Sequence, residues 1–165
     1  MAKGGFHVFA DITAGDIEII NMLDLLTPSG KREVREYTRY ILTKQYRREV
    51  MVAIFQNKLL ANLLHSIVFL VERDDFDIGP LQKRISQIKE LYYAIFEQVH
   101  NRYLEVVDDL DSNEVVREFG RISFENLEEV LKQGNPTVIR REVINFQQEY
   151  NKLGKKKDAR QIVAV

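Results

Sequence analysis

Apolar residues recur along this chain in steps of three and four, and each clear break between apolar stretches carries a helix-start or helix-stop signal. Thr27-Pro28, Gly79-Pro80 and Asn135-Pro136 each put a proline where the first turn of a helix tolerates a missing N–H. The segments between these breaks are far too long for strands. The expected fold class is all-α, a helical bundle.

Residues 1–12 mix apolar residues with glycine and show no clear period. Thr13 and Asp16 resemble a variant capping box, and Ile17, Ile20, Leu23 and Leu26 then follow at helical spacing, which predicts a short first helix. Thr27 is a good N-cap for the next helix. From Lys31 to Glu72 neither glycine nor proline intervenes, so one very long helix over about 28–72 is expected, with weak points near Thr43 and at Gln56-Asn57. Asp74, Asp75, Asp77 and Gly79 make a turn, and Pro80 opens a second long helix reaching about residue 108. Along it Leu81, Ile85, Ile88, Tyr92, Ile95 and Val99 fall at alternating steps of four and three, a heptad-like seam. Leu91, Phe96 and Tyr103 lie off that seam, so the helix should touch more than one neighbour. The short turn makes Val50–Val71 its natural antiparallel partner.

Asp108, Asp109 and Asp111 end this helix, and Asp111 with Glu114 caps a short one that Gly120 stops. Ser123 caps a fifth helix running to Lys132 and closed by Gly134. Asn135-Pro136 starts a sixth, with Val138, Ile139, Val143, Ile144 and Phe146 on its apolar side, and Gly154 terminates it. The architecture this predicts is a single bundle domain over 1–154, built on two long antiparallel helices, about 28–72 and 80–108, with shorter helices covering them. A basic and then apolar tail occupies 155–165.

Composition narrows the function more than it reveals it. The 165 residues are 45% hydrophobic and 30% charged with a net charge of −1, ordinary for a globular domain and no electrostatic magnet for nucleic acid. With no cysteine, disulfide frameworks, thiol catalysis and thiolate metal sites are excluded. No secretory signal is visible in the first residues. The most membrane-like stretch, 50–71, is interrupted by Gln56, Asn57, Lys58, Asn62 and His65. A lysine mid-span costs on the order of 3 kcal/mol, so a core helix explains this stretch better than a membrane span. A cytoplasmic protein is expected.

Candidate chemistry is sparse. Glu97-Gln98-Val99-His100 offers the carboxylate–imidazole step of a di-iron helix bundle, but Asn62 precedes His65 where a second such motif would need glutamate, and His7 lies outside the helical core. A surface pair or a hydrogen-bonded core histidine is the simpler reading. Asp75-x-Asp77 and Asp109-x-Asp111-x-Asn113 lack the glycine and closing glutamate of a calcium loop, and fit acids at helix ends instead. No nucleophile elbow, phosphate-cradling glycine loop or His-Glu-x-x-His is present. We therefore expect no enzyme, no metal and no cofactor.

The basic stretch from Lys31 to Arg48 is more informative. Arg32, Arg35 and Arg39 share one helical stripe, Arg47 and Arg48 follow, and Tyr37, Tyr40 and Tyr46 are interleaved. Such a ridge suits phosphates and stacked bases, with Lys155-Lys156-Lys157 as a possible addition, although a charge run is most often a solvated helix face. The acidic stretches 72–77 and 105–118 could equally meet it across a homo-oligomer. The apolar end, Ile162-Val163-Ala164-Val165, could dock on a partner or fold back on its own domain.

The segment Ile19-Ile20-Asn21-Met22-Leu23-Asp24-Leu25-Leu26-Thr27-Pro28-Ser29-Gly30-Lys31-Arg32-Glu33-Val34, continuing through Tyr37, Tyr40, Ile41 and Leu42, resembles the helical hairpin that follows the DNA-reading domain of bacterial Xre-type repressors. The resemblance covers about a sixth of the chain. It implies a helical element suited to dimerisation and a bacterial origin; the DNA-reading helices are missing upstream, so it implies no DNA recognition.

The function expected from all this is a non-catalytic regulatory or scaffold protein acting through helical protein–protein contact and self-associating. Ile85, Ile88, Tyr92 and Ile95 are the self-association candidates if their seam is not internal. The alternative is a nucleic-acid-associated regulator using Arg32, Arg35, Arg39, Arg47 and Arg48.

Overall fold

In the computed structural model, which describes residues 11–104 and 114–155, there are six helices and no strand among the described residues. They are α1 (Ala14–Leu25), α2 (Pro28–Phe55), α3 (Lys58–Glu72), α4 (Ile78–Leu104), α5 (Glu114–Gln133) and α6 (Pro136–Lys155). The all-α class is thus as expected. By their contacts the residues divide into two units, Met1–Ile41 and Leu42–Val165, so that α2 contributes a half to each.

Side chains set most of the helix starts. Thr13 and Asp16 form a full capping box: Asp16 N–H donates to Thr13 Oγ1, and Thr13 N–H donates to Asp16 Oδ2 at 2.8 Å. Thr27 Oγ1 accepts from Gly30 N–H, and Asn135 Oδ1 from the N–H groups of Thr137 and Val138. Helix α4 begins two residues before Pro80, because Asp77 Oδ1 takes the Gly79 N–H; Pro80 remains in the first turn, where its missing donor has no intrahelical acceptor.

The continuous helix expected over 28–72 does not form. It breaks at Gln56–Asn57, one of the two weak points, and α2 and α3 meet there at a bend of 41°. Asn57 leaves the helical conformation and its Oδ1 caps α3 through Leu60 N–H at 3.0 Å. No single helix among the described residues is long and apolar enough to cross a membrane; only the bent pair α2–α3 has the length and composition.

In the unit Leu42–Val165, α3 packs on α4, α4 on α5, α5 on α6, and α6 back on α3. This is a four-helix arrangement in which sequence neighbours are spatial neighbours, the topology short connections favour. Helix α3, which lies in the expected neighbour segment of α4, packs on it as one side of this four-membered ring. The interior holds Leu60, Leu64, Ile67 and Val71 from α3, Leu81, Ile88 and Tyr92 from α4, Phe124 and Leu127 from α5, and Ile139 and Val143 from α6. The end of α2 closes it with Tyr46, Val50, Ile54 and Phe55.

Two glycines expected to stop helices do not. Gly120 and Ser123 lie inside α5, and Gly154 inside α6. A Cβ on Gly120 would sit 2.6 Å from Tyr92 Cε1, and one on Gly154 would sit 2.7 Å from the Phe55 carbonyl oxygen. Both are places where a helix approaches a neighbour closely. The true stop is Gly134, the one glycine at positive φ (73°) among the described residues, whose N–H returns to Val130 O at 3.1 Å.

Among the described residues, every buried side-chain nitrogen and oxygen has a hydrogen-bond partner. Tyr92 OH donates to Val116 O at 2.5 Å, and Tyr150 OH to Ile54 O at 2.6 Å. Arg140 donates to the carbonyls of Val71 and Arg73, meeting the acceptors left open at the end of α3.

Candidate interaction surface

Helix α1 carries apolar side chains on every side. At about 100° per residue, Ile17 and Ile20 share a stripe with Asp24, Met22 and Leu25 share another with Glu18, and Ile19 and Leu23 form a third. A helix apolar all round is normally buried on most sides. Here no residue of α1 is buried: Leu23 is half-covered, while Ile20 is 49% and Leu25 87% exposed. Ten of the sixteen large apolar side chains that stand exposed among the described residues lie between Ile12 and Ile41.

The first half of α2 continues this pattern. Val34, Tyr37 and Ile41 share a stripe and all are exposed, and the Tyr37 ring stacks on exposed Tyr40 at 6.4 Å between centroids. Arg32, Arg35 and Arg39 occupy the opposite side, also exposed. From Asp11 to Thr27 the only charges are acidic, whereas residues 28–41 hold Lys31, Arg32, Arg35 and Arg39 against Glu33 and Glu36. Asp16 is held below the usual carboxylate range, first by the Thr13 hydroxyl and then by the Thr13 N–H.

The other expected sites fall elsewhere. Arg47 and Arg48 are exposed in the unit Leu42–Val165. The α4 seam is internal, which corrects its candidacy for self-association: Ile85 (3% exposed), Ile88 and Tyr92 (1% each) are buried in the chain's own core, and Ile95 is partly buried against it. Ile85, Ile88 and Tyr92, already enclosed in the chain's own core, have no surface left to offer a second copy.

Glu97 is exposed, while His100 turns inward, its Nδ1 2.8 Å from Tyr46 OH and its ring stacked on Phe96. Burial raises the Tyr46 hydroxyl above its ordinary pKa. No group of three or more His, Asp or Glu side chains that could hold a metal occurs among the described residues. Asp77 is a helix cap and Asp75 is exposed. His7, Asp109, Asp111 and the tail 156–165 lie outside the described residues. An open depression beside His65, Ser66, Phe69 and Arg84 has a volume of about 500 Å³, and these side chains do not compose a hydrolytic triad.

The residues missed in the sequence are Ile19, Met22 and Leu25, which the i, i+3 series Ile17, Ile20, Leu23 and Leu26 does not include. Their signal was available: plotted around the helix, they leave α1 with no polar face. No family model, curated protein or solved structure matches the chain.

Proposed function

We propose that this chain is a non-catalytic regulatory or scaffold protein that acts by helical protein–protein contact through residues 12–41. One observation carries the reading: α1 is apolar around its whole circumference and nothing on it is buried. A twelve-residue helix is marginal in isolation, so coverage by a partner would supply the stability that its own sequence does not. The likeness of residues 19–42 to a dimerisation hairpin points the same way.

Hydrogen exchange on the full chain tests it. Amides of α1 should exchange far faster than those of α4–α6 in the free chain and become protected in a complex. A monomer whose α1 amides are as protected as the core would overturn the reading, because the helix would then be covered without a partner.

The second reading, nucleic-acid contact, is favoured by the exposed stripe Arg32, Arg35 and Arg39 with the stacked Tyr37 and Tyr40 nearby. It predicts binding that weakens steeply with salt and is lost when the three arginines become glutamine. No binding at low salt would remove it.

A further inference from the structure

We infer that the occupant of the exposed α1–α2 surface is a second copy of the same chain, joined by a two-fold exchange that sets the acidic α1 of each against the basic first half of α2 of the other. The inference rests on the association reading above and names the partner. Helix α1 suits an apolar, positively charged neighbour, since its apolar stripes carry Glu18 and Asp24 and no base. The first half of α2 has the opposite character: Val34 is exposed, Lys31 lies one turn before it, and Arg35 follows Lys31 one turn on. Each helix is the complement of the other, and a two-fold axis satisfies both pairings at once.

Duplication also answers the geometry. Among the described residues, one twelve-residue helix and half of another leave α1 uncovered, whereas two of each make four helical segments, enough to cover it on several sides. A lipid surface fits less well, because anionic headgroups would repel a helix whose only charges are Asp16, Glu18 and Asp24.

The experiment is light scattering on the full chain across a wide concentration range, with two charge-exchanged variants alone and mixed. One variant is Glu18→Lys/Asp24→Lys; the other is Lys31→Glu/Arg35→Glu. Asp16 is left intact because it caps α1, and Asp24→Lys and the glutamates near the start of α2 agree with the helix dipoles, so loss of helix is not built into the design. The parent should approach twice 19.3 kDa. Each variant alone should dimerise at least tenfold more weakly, and an equimolar mixture should recover the dimer, since only mixing restores opposite charges between chains. A parent dimer indifferent to both exchanges, or a mixture that stays monomeric, would overturn the inference.

A monomeric parent would overturn it as well. The hydrogen exchange of α1 then separates two failures: rapid exchange leaves the association reading standing with a different partner, and slow exchange removes both. A monomer that sediments with phosphatidylcholine vesicles would assign the surface to lipid instead.

Discussion

Leu25 and Leu127 are both leucines on helices, and their surroundings differ as much as a folded chain allows. Leu127 is fully enclosed among the side chains of α3–α6, whereas Leu25 is 87% exposed at the end of α1. The same contrast separates the two units. Between Leu42 and Val165, apolar stripes meet apolar stripes, buried hydroxyls find carbonyls and arginine closes a helix end. Between Ile12 and Ile41, apolar side chains are as dense, yet none is buried. Hydrophobicity alone does not make a core; it requires enough surfaces at the right angles to close on one another.

The largest effect that sharpens this contrast is truncation of the two leucines. Leu127→Ala should destabilise the chain by about 2–5 kcal/mol, the transfer term plus an unfilled cavity. Leu25→Ala should change it by less than about 0.5 kcal/mol in dilute solution. Urea unfolding followed by circular dichroism measures both. Equal effects would mean that α1 shares the core, and the contrast would collapse.

Next in size are the close-approach glycines. By helix propensity, Gly→Ala within a helix should stabilise by roughly 1 kcal/mol. At Gly120 and Gly154 the added methyl meets Tyr92 at 2.6 Å and the Phe55 carbonyl at 2.7 Å. Both substitutions should instead cost about 1–3 kcal/mol by overpacking. Gly30, where the nearest atom to a new Cβ is Leu26 Cδ2 at 3.4 Å, should show little or no penalty. A stabilising Gly120→Ala in the same unfolding assay would mean that α4 and α5 are not as tightly apposed as Tyr92 requires.

These glycines show where the sequence was legible and where it was not. Proline, threonine and asparagine act through their own backbone neighbours, so the starts near Thr13, Thr27 and Asn135 could be read locally, whereas the start that Asp77 caps lies two residues before the one expected at Pro80. A glycine is ambiguous: Gly134 serves positive φ, while Gly120 and Gly154 serve another element distant in sequence. The break at Gln56–Asn57 was visible only as low propensity, because the bend that re-aims α3 depends on what α3 packs against. The α4 seam had the right spacing, but spacing does not distinguish a partner within the chain from one outside it. The exposed apolar side chains of residues 12–41 do not announce themselves as a stripe; the informative feature of α1 is the absence of a polar face.

The buried tyrosines give a smaller effect with a defined pH window. Burial raises the pKa of Tyr92, Tyr46 and Tyr150, the last from 10.0 to about 12. A group whose pKa is higher folded than unfolded contributes stability that is whole below the unfolded value and disappears as pH rises toward the folded one. The core should therefore weaken between pH 10.0 and about 12. Tyr150→Phe, which loses the bond to Ile54 O, should cost about 1 kcal/mol at neutral pH and flatten part of that alkaline decline. Urea midpoints across the window test this; an unchanged alkaline slope would mean that Tyr150 is not enclosed.

The smallest effect on folding should be the largest on assembly. Leu25→Gln replaces an 87% exposed side chain with a polar one of similar length, so in dilute solution the unfolding free energy should change by no more than about 0.5 kcal/mol. If a second copy covers α1, the parent gains stability with protein concentration by mass action, and the variant gains less. The measurement is the difference in midpoint between the two at low and at high concentration. A gap that widens with concentration ties Leu25 to association with itself. A gap that stays small and constant, alongside a parent that remains monomeric, leaves α1 to a different protein. The two units would then differ in kind: one holds its fold by itself, and the other is completed only by what it binds.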